Sequence, residues 1–379
     1  MYSIPYIILF CFLLLLYQRS NKIRREKVHS LKKSKKIKEL EISALIAYLI
    51  FYGLRGYVFT DCFQYHRFFN FVDSDVFANY IEYLFEPGYI LANLIISFFT
   101  KEAFVFQFIW VLIDVILLYK ILKRETKEYF LLSFALLIPF FDGVQINLFR
   151  NIKAILIFFW AIQYIREKNL FKYTIAILIG ASFHLTAILY LPLYFVLQKN
   201  IHKVLSISAL FSILFYFIGL GSIFNIFFSI AGSLGGKFVR ITEAYINSAV
   251  DAGFTFGFIF RSFLLVSLLL LYKKLSSKNI IFLNLAIIYL ILNIAFNSIT
   301  VIRDRLSTIF ILGLVGILPY AQEVIKSKKI RLQFIIIVYM FLFAQVFIQH
   351  KTIVAKYTNL ITGIENIKDA EYRVFNNLE

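Results

Sequence analysis

Long apolar stretches constrain this chain more than any other feature. Tyr2 to Tyr17, Phe104 to Leu122, Ile280 to Phe296 and Leu332 to Ile348 approach the roughly 17–25 residues that a helix needs to cross the hydrocarbon of a bilayer. Inside hydrocarbon every backbone N–H and C=O must find a partner within the protein, so only helices and closed barrels span it. A barrel would show segments of about ten residues that alternate apolar with polar, and no such alternation runs through this sequence. The expectation is an all-α, polytopic integral membrane protein. Its charged fraction of 16% agrees, since a soluble domain carries about 25%.

The formal net charge is +18, and the excess sits in short blocks between the apolar runs. That distribution argues against nucleic acid as a partner, which would call for a basic face on a soluble domain. Lysine and arginine near helix ends resist translocation, so basic blocks mark cytoplasmic loops. From Arg19 to Lys38 there are ten Lys or Arg and one Glu, which makes 18–40 the strongest orientation signal. The blocks Lys123 to Lys127, Arg166 to Lys168, Lys273 to Lys278 and Lys326 to Arg331 are expected on the same side. A cleaved signal peptide carries its basic residues before the apolar core. Here they follow it, which predicts an uncleaved first helix with its N-terminus outside. Cys11 and Cys62 offer neither metal spacing nor a disulfide framework.

Parity then limits the spans. If 88–100 and 104–122 both crossed, Lys123 would lie outside. The run 88–100 is short and bounded by Pro87 and Lys101, which predicts a re-entrant or interfacial helix. Two arrangements stay open for 173–198: one helix over about 172–191, or two half-helices broken near His184. Residues 203–235 are expected to cross twice, broken at Gly219-Leu220-Gly221. The count is about twelve spans in one membrane domain, 1–350, with external loops at 60–87, 142–150, 236–253 and 298–305 and a tail at 351–379 whose side is not assigned.

This topology gathers Arg55, Asp61, Glu86, Asp142, Arg150, Arg303, Asp304 and Arg305 at the external interface. Ionisable groups near hydrocarbon are costly and either pair with one another or face a polar cavity. External arginines also work against insertion, so some of them are expected to bind an anion, and their planar forks suit phosphate oxygens. Glu86, before Pro87-Gly88-Tyr89, reads either as an anion at a helix start or as a general acid or base. Asp61 reads as an arginine partner or as a catalytic carboxylate. His184, in Phe183-His184-Leu185-Thr186-Ala187, reads as a buried neutral imidazole or as a proton acceptor. Tyr57, Tyr65, Tyr80, Tyr83 and Tyr89 could stack on sugar rings, and an interfacial belt explains them equally well. No His/Asp cluster has ligand spacing, so no metal is expected, and no cofactor either.

In order and spacing these residues resemble the EpsG-like family of polysaccharide polymerases, relatives of the Wzy-type O-antigen and capsule polymerases. The resemblance rests on the basic loop after a short first helix, Arg55-Gly56 followed by Asp61 and Tyr65, and the Glu86-Pro87-Gly88-Tyr89 box. Asn147 with Arg150, Phe183-His184 before Ala187, and Arg305-Leu306 complete it. It covers roughly 1–320. Asn151 stands where the family usually has glutamine and Thr186 where it has serine; both keep a polar group. The resemblance implies a glycosyltransferase in the bacterial inner membrane, acting on its periplasmic or external face. It would transfer a growing glycan from undecaprenyl pyrophosphate to a sugar hydroxyl of the next lipid-linked repeat unit, alongside a flippase and a chain-length regulator. In that reaction Arg55, Arg150, Arg303 and Arg305 would hold the pyrophosphate with help from Tyr65 and Tyr89. His184, Asp61 and Glu86 are the candidate bases. A flippase for the same lipid-linked oligosaccharide is the alternative from another class, but transporters often carry internal repeats and none is visible here. An O-antigen-type ligase would share the donor and differ in its acceptor.

Overall fold

A computed structural model describes residues 2–26, 30–72, 85–218 and 255–377. Among these the chain is helical and contains no β-strand. The expected break at 219–221, the loop 236–253, Tyr80 and Tyr83 lie outside the described residues. Two compact units divide it: residues 1–194 with 336–379, and residues 195–335.

The first unit is a bundle. Helix α1 (Ile4–Arg25) starts with a proline in its first turn and ends on Lys22, Arg24 and Arg25, where cations suit the negative end of the helix dipole. Helix α2 (Ser30–Gly53) follows, so the basic segment expected as a loop over 18–40 is mostly two helix ends. After α3 (Asp61–Phe71) comes α4 (Pro87–Ser97). At 11 residues, α4 is about 16 Å long, too short for a bilayer core of about 30 Å. Helix α5 (Ala103–Thr126) turns at Lys127, whose φ is 49°, through a 3-10 turn into α6 (Phe130–Asn147). Only Leu148 separates α6 from α7 (Phe149–Arg166), so the expected loop 142–150 is helix on both sides of one residue. Helix α8 (Leu170–Phe183) ends at His184, which is extended (φ −158°, ψ 123°), and a 3-10 run (Leu185–Phe195) continues from there. Of the two arrangements open for 173–198, the chain adopts the one broken at His184.

The basic ends meet. Arg166 grips Glu125 through both carboxylate oxygens, at 2.8 and 2.5 Å, Arg124 shares that carboxylate at 2.6 Å, Lys123 pairs with Glu41, and Arg24 donates to the Glu128 carbonyl at 3.3 Å. Arg150 opens α7 and Arg166 closes it, so the basic blocks and the candidate site occupy opposite ends of this unit, separated by about 24 Å of helix.

In the second unit, α9 (His202–Ile218), α10 (Phe256–Leu270) and α12 (Thr300–Ser307) pack on α11 (Tyr272–Ala295), as does α13 (Ile311–Val324). Gly313 permits a close approach of α13 to α11, because a Cβ there would lie 2.8 Å from the Ala286 nitrogen. Arg303 bonds Asp304 at 2.8 Å, and Arg305 is exposed on α12; the start of that helix at Thr300 shortens the expected loop 298–305. Helix α14 (Lys328–Gln349) leads back to the first unit.

Five helices among the described residues are long and apolar enough to cross a membrane: Ile4–Arg25, Ala103–Asn147 as one continuous run, Tyr272–Ala295, Arg303–Val324 and Lys328–Gln349. Five shorter apolar helices accompany them. About twelve were expected. One source of the difference is α7, whose Arg150, Lys153 and Arg166 take it out of the apolar class.

Candidate active site

Four helix ends converge in the first unit. Glu86 stands at the N-cap of α4 with an extended backbone (φ −72°, ψ 148°) and leaves its side chain out of the cap. Its Oε2 meets Arg150 Nη1 at 2.5 Å, and its Oε1 accepts from the Leu185 backbone N–H at 3.3 Å, the first amide after the break at His184. Gly88 makes this approach possible: a Cβ there would sit 2.8 Å from the Ser182 carbonyl oxygen at the end of α8. The Arg150 guanidinium also lies over the Phe85 ring, 4.7 Å from its centroid, and the Tyr65 hydroxyl is within its hydrogen-bonding reach. The pair is about one-fifth exposed, at 22% and 19%, and the buried Arg150 Nε has no hydrogen-bond partner.

His184 Nδ1 lies 2.7 Å from Thr186 Oγ1, and that hydroxyl lies 3.4 Å from Asn151 Oδ1. The Thr186 backbone N–H also donates to Nδ1, at 3.4 Å, so Thr186 holds the ring through two of its own groups. Thr186 touches the histidine directly, and Asn151 meets the threonine hydroxyl behind it. Asp61 opens α3, one turn before Tyr65, and accepts from Thr60 Oγ1 at 3.0 Å. Burial pushes the Tyr65 phenol up to about 12, although Arg150 beside it acts in the opposite direction.

The other predicted residues are placed differently. Arg55 is fully buried. It donates to the Tyr52 carbonyl at 2.6 Å and the Ile146 carbonyl at 3.1 Å, so it ties together the C-terminal ends of α2 and α6. Tyr89 is also fully buried, in an aromatic cluster with Tyr65, Phe68, Phe85 and Trp110. Arg303 and Arg305 belong to the second unit. Among the described residues no group of three or more His, Cys, Asp or Glu could hold a metal ion.

A second polar network was missed. Lys153, one turn after Arg150 on α7, pairs with Asp114 at 2.5 Å, donates to the Trp110 carbonyl at 3.1 Å and lies 4.1 Å from the centroid of the Trp110 ring. Gln145 donates to the other Asp114 oxygen at 3.2 Å and accepts from Tyr48 at 3.2 Å. Asp142 accepts from Tyr52 and pairs with His350 at 2.6 Å. The signal was in the sequence: the run Phe104 to Leu122, read as apolar, contains Gln107 and Asp114, and a mid-span acid needs a partner.

A helical membrane protein with an acid, an arginine and a histidine at one end of its bundle is the class that fold and site define. The chain belongs to the EpsG family, whose model matches residues 41–360. That family places it in polysaccharide biosynthesis at a membrane, among glycosyltransferase-like polymerases. Searches of curated proteins and of solved structures returned no match.

Proposed function

We propose that this protein polymerises lipid-linked oligosaccharide repeat units of an O-antigen, capsule or exopolysaccharide on the external face of a bacterial inner membrane. The observation that carries the reading is the Glu86–Arg150 pair beside His184. In the proposed reaction a sugar hydroxyl of the incoming unit attacks the anomeric carbon of the growing glycan. The bond to undecaprenyl pyrophosphate breaks, and the pyrophosphate leaves with the electron pair. Negative charge develops on the leaving oxygen, and Arg150 is suited to offset it, with the N-terminus of α7 adding a favourable dipole. The hydroxyl proton goes to the His184 imidazole, whose ring Thr186 orients, with Asn151 next along the same chain of contacts. Glu86 holds the guanidinium, while Asp61 and Tyr65 bind the acceptor sugar. Arg55 and Tyr89, both buried, support the site from within; Arg303 and Arg305 are kept as anion-binding candidates on their own unit. A flippase that delivers the units and a chain-length regulator are the partners this activity calls for.

Deletion of the gene tests this reading. Long-chain polymer should disappear and single repeat units accumulate on the lipid carrier; a deletion strain that still makes long polymer overturns it. In the complemented strain, His184→Gln at normal abundance should slow polymerisation by about 10²–10⁴-fold, the usual contribution of a general base. Normal chain length would remove His184 from the mechanism.

A further inference from the structure

The side of the tail could not be read from its mixed charge, yet the structure docks it onto the end of the first unit that carries α3. After a short 3-10 turn (Ile353–Ala355), the Gly56 N–H donates to the Thr358 carbonyl at 2.8 Å, and the Leu360 N–H donates to the Leu54 carbonyl at 2.8 Å. Helix α15 (Ile367–Phe375) then lies against α3. Ala370 and Val374 of α15, with Val354, form one buried cluster with Tyr57, Cys62 and Phe63, and Glu371 pairs with Arg67. The family match ends at residue 360, so α15 lies beyond what membership describes.

Arg373 holds this arrangement together. It is 6% exposed, and each guanidinium nitrogen is engaged: Nε with Glu365 at 2.9 Å, Nη1 with the Ile353 carbonyl at 2.9 Å, and Nη2 with the Tyr57 carbonyl at 2.8 Å. Two of these acceptors belong to the tail and the third to the segment that leads into α3. Phe63 and Arg67 are one turn apart on the α3 side that meets the tail. Asp61 and Tyr65, also one turn apart, lie on the other side at helical spacing. Too short to span the membrane, α3 is held between α5, α6 and the tail.

We infer that the C-terminal segment 353–375 is a strap that sets α3, and with it Asp61 and Tyr65, against Arg150 and Glu86, and that Arg373 is its positioning residue. The inference rests on the reading of Asp61 and Tyr65 as site residues. Truncation of Arg373 leaves the Tyr57 carbonyl without this donor and leaves the Ile353 carbonyl and Glu365 with Lys356 alone, and a buried acceptor left unpaired is costly.

Cys62, fully buried beneath the strap, supplies the test. With Cys11→Ser it is the one remaining thiol, because the sequence has two cysteines. Open membranes holding the full chain are treated with a water-soluble maleimide, and polymerisation of lipid-linked repeat units is assayed in the same membranes. The parent should label slowly. Arg373→Ala should label at least about tenfold faster and polymerise about tenfold more slowly at equal abundance, with its KM for the acceptor raised more than its kcat is lowered. Arg373→Lys, which keeps the charge and loses the fork, should fall between on both measures. Fast labelling with normal polymerisation overturns the positioning role, and slow labelling of Arg373→Ala overturns the strap. If Arg373→Ala does not accumulate, Glu371→Lys, which reverses the surface partner of Arg67, is read by the same criteria. Labelling reports docking whatever the reaction, so failure of the strap is distinguishable from failure of the polymerase reading, which the deletion strain decides.

Discussion

Arg150 with Glu86 and Lys153 with Asp114 are two ion pairs rooted one turn apart on the same helix, with the same 2.5 Å separation. Their surroundings separate them. The lysine pair is 4% and 0% exposed, its second carboxylate oxygen accepts from Gln145, and its ammonium also reaches the Trp110 carbonyl. The arginine pair keeps about one-fifth of its surface open and leaves a buried guanidinium N–H without an acceptor. A saturated pair sealed in the bundle can do little beyond hold helices together. A half-open pair with a donor to spare can meet an anion.

Breaking the sealed pair should have the largest effect. Asp114→Leu leaves the Lys153 ammonium buried without its partner, and removal of one member of such a pair costs about 3–5 kcal/mol. Folded protein should be largely lost, as read by abundance in membranes and by melting in detergent. Lys153→Met added to Asp114→Leu should restore much of it, because apolar groups of similar volume often replace a buried pair at little cost. A double variant as unstable as the single would show that the network does more than satisfy itself. The open pair should behave in the opposite way. Arg150→Gln should melt within about 1 kcal/mol of the parent, since partly exposed pairs contribute little, while polymer synthesis falls by about 10²-fold or more. Adding Glu86→Gln should not bring synthesis back. Recovery in that double variant would make the open pair structural and end the comparison.

How much of this was legible follows the range of each interaction. The membrane class and the short element at 87–97 come from local pattern: apolar runs, and Pro87 at a helix start. Glu86, Arg150 and His184 stood out because charge near hydrocarbon is conspicuous, and the structure brings these three together. Asp114 was equally conspicuous and was overlooked inside a run taken as apolar. Its partner Lys153, 39 residues on, and the pairing of Asp142 with His350, 208 residues on, depend on which helices pack together, and periodicity does not encode that. The same holds for Arg55 and Tyr89. Their residue types suggested an external site, but burial at the ends of α2 and α6 and inside an aromatic cluster is a tertiary outcome. The five long apolar helices among the described residues do not confirm the span count, and α7 shows one reason, since it satisfies its charges within the bundle and so does not need to be apolar.

Exposure and saturation differ together between the two pairs, and Glu365 separates them. It is 19% exposed, the same as Glu86, but its partners Lys356 and Arg373 leave no guanidinium nitrogen idle. If saturation is what makes a pair structural, Glu365 should act on docking of the tail. Burial alone would raise its pKa, but the hydrogen bonds and charges of Lys356 and Arg373 outweigh that and hold the carboxyl below its ordinary value. A carboxylate depressed in the folded state adds stability that is fully present above its unfolded pKa of about 4.3 and is lost as pH falls through its folded value. Maleimide labelling of Cys62, corrected for the intrinsic dependence of thiol reactivity on pH, should therefore accelerate slightly below about pH 4.3. Glu365→Gln should label somewhat faster at neutral pH and lose that acid-dependent step. A step that persists in Glu365→Gln would assign it to another carboxylate and leave exposure, rather than saturation, as what distinguishes the two pairs on α7.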